Sequence, residues 1–146
     1  MPDSKIIRTK LKKSQEKKSL DSLDLVSSQW NSDVEFRLAR KTVINLWKNG
    51  KVDEKIICDA QSMLRRNASQ CGVSKGESCP ICEDGEIFYV TYVFGPRLPS
   101  HGRCISTKGE LKRLNSRKAQ MSAYMVEVCP SCGWNHLVSI TSLGGN

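Results

Sequence analysis

Long apolar runs are missing from this chain. The longest, Ile87 to Phe94, reaches only about a third of the length of a membrane-spanning helix, which argues against a helical membrane protein. Met1 to Leu20 is charged from end to end and has no apolar stretch to serve as a signal peptide, so a cytoplasmic protein is expected. Histidine is scarce as well. Of the two, His136 has no serine, acid or open metal site in register, and His101-Gly102-Arg103-Cys104 is a metal half-site without a second half. A nucleophile–base pair at readable spacing is lacking, which leans against an enzyme. Hydrophobic residues make up 38% of the 146 and aromatics 6%, so any core is modest. Acidic residues are outnumbered, 15 against 23 Lys and Arg, for a formal net charge of +8.

That positive excess is concentrated in two segments. Residues 1–20 carry a net +5, from Lys5, Arg8, Lys10, Lys12, Lys13, Lys17 and Lys18 against Asp3 and Glu16. Residues 95–121 carry a net +6, from Arg97, Arg103, Lys108, Lys112, Arg113, Arg117 and Lys118 against Glu110. The rest of the chain is mildly acidic, at −3.

The chain divides by period. Residues 1–28 have no periodic apolar residues and are rich in Lys and Ser. They bury too little surface to offset chain entropy, which predicts a disordered basic tail. Residues 29–72 read as a helical hairpin. Ser32-Asp33-Val34-Glu35 has the form of a capping box, and Phe36, Ala39, Val43, Leu46 and Trp47 make one apolar stripe ended by Asn49-Gly50. A second helix starts near Asp53, with Val52 placed to staple against Ile57 and a stripe of Ile56, Ile57, Ala60, Met63 and Leu64. Arg65-Arg66 near its end read as cations favoured at a helix C-terminus, with a binding feature as the alternative. After residue 78 the period becomes that of strands: Ile87 to Phe94, Tyr124 to Val128 and His136 to Ile140. Between the first two lies a short helix, Thr107 to Arg117, capped by Thr107 and Glu110.

Seven cysteines are an odd number for a disulfide framework, and four of them form matched pairs: Cys79-Pro80-Ile81-Cys82 and Cys129-Pro130-Ser131-Cys132. A C-x-x-C turn lets two sulfurs reach one ion, and two such turns close the tetrahedron that zinc prefers. The intervening 46 residues exceed the usual ribbon spacing, but removing 95–121 leaves 19, an ordinary ribbon hairpin with an insertion at its tip. Cys79, Cys82, Cys129 and Cys132 are therefore the expected ligands of one structural zinc ion per chain. Four thiolates leave no open position for catalysis, and a thioredoxin-like redox pair would need one C-x-x-C inside a βαβ unit. Cys58, Cys71 and Cys104 read as buried or incidental thiols. The expected class is α+β: a helical hairpin, then over residues 73–146 a three-stranded antiparallel zinc ribbon with the basic segment inserted at 95–121.

The string Val126-Glu127-Val128-Cys129-Pro130-Ser131-Cys132-Gly133-Trp134-Asn135-His136-Leu137 is specific. With Cys79 to Cys82, Tyr89 to Gly95 and Cys58-Asp59-Ala60, it resembles an uncharacterised family of small actinobacterial zinc-ribbon-like proteins over about residues 34–143. The resemblance implies a cytoplasmic bacterial protein with a helical hairpin before a zinc-binding segment, and it implies no activity.

Two functional readings follow. In the first, the ribbon contacts RNA, DNA or a transcription or translation complex. The phosphate contacts would come from Lys10, Lys12, Lys13, Lys17 and Lys18 in the tail and from Arg97, Arg103, Lys112, Arg113, Arg117 and Lys118 in the insertion. Tyr89, Tyr92 and Phe94 are candidate stacking platforms, against core packing as the alternative. In the second, the protein is a zinc-stabilised adaptor that docks a protein partner and no nucleic acid. Neither reading involves a membrane. Trp134, directly after the second knuckle, is expected to cover the metal site.

Overall fold

The computed structural model describes residues 25–145. The basic tail, with Lys10, Lys12, Lys13, Lys17 and Lys18, lies outside them, except that residues 25–28 open the first helix. Helix α1 spans Leu25–Lys48, so Ser32 stands inside the helix and the capping box expected there does not begin it. Two short helices follow, α2 (Glu54–Ile57) and α3 (Ser62–Cys71), and then strands β1 (Val73–Ser78), β2 (Glu86–Phe94) and β3 (Arg103–Ile105). Helix α4 (Lys108–Asn115) leads into β4 (Gln120–Val128) and β5 (Asn135–Gly144). The class is α+β.

The single helix expected from Asp53 is broken in two. Asp53 does cap α2, accepting from the Lys55 N–H at 3.1 Å. At Cys58 the helix stops, because Ala60 N–H turns away to the carbonyl of Gly133 at 2.9 Å, and the Asp59 carboxylate accepts from Asn135 at 2.9 Å. Tertiary hydrogen bonds here replace helical ones. The apolar stripes shift accordingly. Ile56 and Met63 are exposed, while Ile57, Ala60, Leu64 and Ala68 are buried. On α1 the inward face is Phe36, Arg40, Val43, Ile44 and Trp47; Ala39 faces water and the buried line runs through a charged residue.

The sheet is antiparallel and five-stranded rather than three-stranded. Its order is β1-β2-β4-β5, with β3 beside the second half of β2 on the same edge that β1 occupies along the first half. β1, Val-Ser-Lys-Gly-Glu-Ser, is exposed along its whole length, and a strand with no buried residue has no alternation to betray it. β4 and β5 run longer than their apolar cores, pairing from Gln120↔Gly144 to Val128↔Asn135 with a register shift after Met125. The insertion is thus partly absorbed into the sheet. α4 begins as expected, with Thr107 Oγ1 accepting from the Glu110 N–H at 3.2 Å, but it ends at Asn115.

Among the described residues, three apolar groups fill the interior. Leu64 and Ala68 of α3 pack with Val90, Tyr92, Tyr124, Val126 and Val128. Ile44 of α1 and Ile57 of α2 join Ile81, Ile87, Trp134 and the sulfurs of Cys79 and Cys129. Val93, Ile105, Leu114, Met121 and Leu143 form the third, at the opposite end of the strands.

A candidate metal centre

β2 leaves the first cysteine turn and β4 enters the second, so the pairing of Phe88 with Val128 delivers both turns to the same end of the sheet. The two turns share one backbone design. Cys79 N–H bonds the Gly85 carbonyl at 2.8 Å, and Cys129 N–H bonds the Trp134 carbonyl at 2.8 Å. In each turn the residue four past the first cysteine bonds back to that cysteine's carbonyl and adopts positive φ: Glu83 at 63° and Gly133 at 91°. The requirement for glycine at position 85 is steric. A Cβ on Gly85 would stand 2.4 Å from the Cys129 sulfur.

The sulfurs of Cys79, Cys82, Cys129 and Cys132 all lie within 4.8 Å of one another. Cys79 and Cys132 are 3.6 Å apart, and Cys82 and Cys129 3.7 Å. A tetrahedron with bonds of about 2.3 Å has edges of about 3.8 Å, so this spacing suits one thiophilic ion. Backbone N–H groups point at the sulfurs: Ile81 to Cys79 at 3.4 Å, Gly85 to Cys82 at 3.3 Å, and Trp134 to Cys132 at 3.4 Å. Burial pushes the Cys132 thiol up to about 12 and raises Cys79 as well. For Cys82 burial acts in the same direction, but the Gly85 N–H and the adjacent sulfurs outweigh it and lower the thiol. A cation among the four offsets the burial cost of the thiolates, so the donor set fits a metal ion.

The surroundings hold these turns from outside. Arg65, read as a cation favouring a helix C-terminus, reaches across to the Pro130 carbonyl at 2.9 Å and the Ser131 carbonyl at 2.6 Å. Glu127 is buried between Val126 and Val128. It forms a bidentate ion pair with Arg40 of α1, through Nε and through Nη2 at 3.1 Å, and accepts from Trp134 Nε1 at 3.3 Å. Trp134 is 1% exposed, packed with Cys79 and Cys129 and stacked on His136 at 5.9 Å, so it covers the sulfurs. His136 is buried, with Nδ1 2.9 Å from the Leu137 carbonyl. Arg40 and Glu127 did carry a signal in the sequence: one charge four residues past Phe36, and one inside an apolar strand two residues before Cys129.

The remaining cysteines are not isolated. Cys58 donates to the Cys132 sulfur at 3.6 Å, and Cys104 interacts electrostatically with Cys71. Burial first, and then Cys71, pushes Cys104 up to about 12.

The cations of the insertion gather at the far end of the strands. Arg97, Arg103, Lys108, Lys112, Arg113, Arg117 and Lys118 are exposed, and Arg103 is paired with Glu110 at 3.3 Å. Arg117 and Lys118 lie beyond α4, so they do not share a helical face with Arg113. The proposed stacking platforms are otherwise engaged. Tyr92 is buried and bonded to Asn67 at 2.9 Å, and Phe94 packs on Tyr124 at 4.9 Å. Tyr89 donates to Glu77 at 3.0 Å, under Lys75.

Comparison with known proteins places these features in context. Residues 27–146 match a family described as a family of unknown function, DUF5318. The uncharacterised proteins Rv0049 of Mycobacterium tuberculosis and Mb0050 of Mycobacterium bovis are each 32% identical over 111 residues, covering 76% of this chain and 81% of their own. No solved structure matches the chain significantly.

Proposed function

The chain belongs to this family of unknown function, and from that premise we propose that it is a zinc-stabilised binding module. The observation that carries the reading is the cluster of four cysteine sulfurs at tetrahedral spacing, inside an apolar shell and met by backbone N–H groups. Four soft donors suit zinc and leave no ligand position for a substrate, so the ion's work is structural. It ties the start of β2 to the end of β4.

The binding surface in this reading is the basic end. Arg97, Lys112, Arg113, Arg117 and Lys118 are exposed there, opposite the sulfurs, and phosphate is the group such a surface attracts most strongly. With Tyr92 and Phe94 occupied in packing, recognition would run through the backbone of RNA or DNA rather than through its bases. Lys10, Lys12, Lys13, Lys17 and Lys18 would add salt-sensitive attraction. Metal analysis of the purified protein tests the first claim, with one zinc per chain expected. Titration of RNA and DNA at two salt concentrations tests the second, and affinity weaker than millimolar at low salt would count against it.

A protein adaptor is the second reading. It is supported by Leu38, Ile56, Met63 and Val73, which leave apolar side chains 58%, 66%, 42% and 60% exposed. Capture of a protein from native lysate that survives nuclease treatment would favour it.

A further inference from the structure

The metal end holds five sulfurs for four coordination positions. The Cys58 thiol donates to the Cys132 sulfur across 3.6 Å, the same separation as between Cys132 and Cys79. This placement is built rather than incidental. The Cys58 N–H ends α2 on the Glu54 carbonyl at 2.8 Å, and the next residues are clamped to the second turn by Ala60 N–H to Gly133 and by Asn135 to Asp59. Gly133 lets them approach, since a Cβ there would stand 2.9 Å from the Cys58 carbonyl oxygen. Cys58, Cys82 and Cys132 are half-buried, whereas Cys79 and Cys129 are closed off, so Cys58 and Cys132 lie with Cys82 on the open side of the cluster.

We propose that Cys58 is a reserve ligand that exchanges with Cys132 at the metal. The inference rests on the metal reading of the four-cysteine cluster and goes beyond it. In the exchange, the metal–sulfur bond to Cys132 breaks as one to Cys58 forms, and the Cys58 proton passes along the existing hydrogen bond to Cys132. Charge and coordination number are unchanged, so the ion never drops to three sulfurs. A centre of this kind retains its fold-stabilising metal yet can yield it to a competing thiol or chelator through the open side.

Cobalt(II) bound to the full-length protein tests this, because the intensity of its thiolate charge-transfer band counts the sulfurs. Wild type should show four. Cys132→Ser should also show four, and Cys58→Ser/Cys132→Ser fewer; Cys79→Ser, whose sulfur does not receive the Cys58 hydrogen bond, should not regain its lost thiolate. An identical three-sulfur spectrum in Cys132→Ser and the double variant overturns the proposal, as does equal rescue of Cys79→Ser. Wild type that binds no cobalt defeats the metal reading itself. Should Cys132→Ser fail to fold, metal transfer from Cys58→Ser to an excess of chelator decides: slower than wild type supports exchange, and an equal rate overturns it.

Discussion

The two ends of the β2–β4 pair are built by opposite means. At the cysteine end, sulfurs, a part-buried ion pair and carbonyl-gripping Arg65 tie together residues from α1, the end of α2, α3 and both cysteine turns. At the basic end, Leu114, Met121 and Leu143 make a small apolar group under a surface of exposed cations. The first end concentrates cross-links between segments 65 to 87 residues apart in sequence. The second is held by shorter-range contacts, among them the Thr107 cap, the β3 pairing and the Gly144 N–H bond to Asn115, 29 residues away. If the basic end binds phosphate as proposed, stability and binding can be altered separately, one at each end.

The largest expected effect is at the metal end. Removing the metal with a strong chelator, or replacing Cys79 or Cys129 by Ser, should cost much of a binding free energy on the order of 10 kcal/mol, read as loss of cooperative thermal unfolding. Full stability in chelator would break the comparison.

Next comes the ion pair that docks α1. Arg40→Ala leaves Glu127 buried and unpaired and should destabilise by about 3 kcal/mol in chemical denaturation. Arg40→Ala with Glu127→Gln should recover part of that loss, because the buried charge is gone. No recovery would mean that Glu127 is not the partner that matters.

Arg65→Ala should act more mildly. Loss of its hydrogen bonds to Pro130 and Ser131 loosens the second turn and should weaken metal affinity by about 10-fold or more, measured by competition with a chelator. Arg66→Ala, which lacks those contacts, is the control.

The smallest stability effects belong to the basic end. Arg113→Ala and Lys118→Ala should change stability by no more than about 0.5 kcal/mol. If phosphate binds there, each should lower the logarithmic salt slope of nucleic-acid affinity by about 0.7 to 0.9. A large loss of stability without a change in slope would make these residues structural and reverse the contrast between the ends.

The readable features of the sequence were the local ones. Two C-x-x-C turns, the β-branched and aromatic run of Ile87 to Phe94, the Asp53 and Thr107 caps and the turn at Asn49-Gly50 each involve neighbours within a few residues, and each stands where the local sequence placed it. The same sequence also placed all four paired cysteines in one candidate site, because a long gap minus its basic insertion leaves a hairpin.

What only the tertiary structure decided is how distant segments share their hydrogen bonds. The periodicity from Asp53 to Leu64 reads as one helix, yet Gly133 takes the Ala60 N–H and the helix breaks, which brings Cys58 to Cys132. Arg40 shows only its spacing from Phe36 in the sequence, and its counter-charge, Glu127, stands 87 residues away. β1 and β3 have no apolar alternation of their own and exist as strands because β2 offers an edge to each. Local sequence encodes turns, caps and period, which depend on neighbours. Backbone and side-chain pairing across the fold depends on which groups burial leaves without water, and that is settled only when the segments meet.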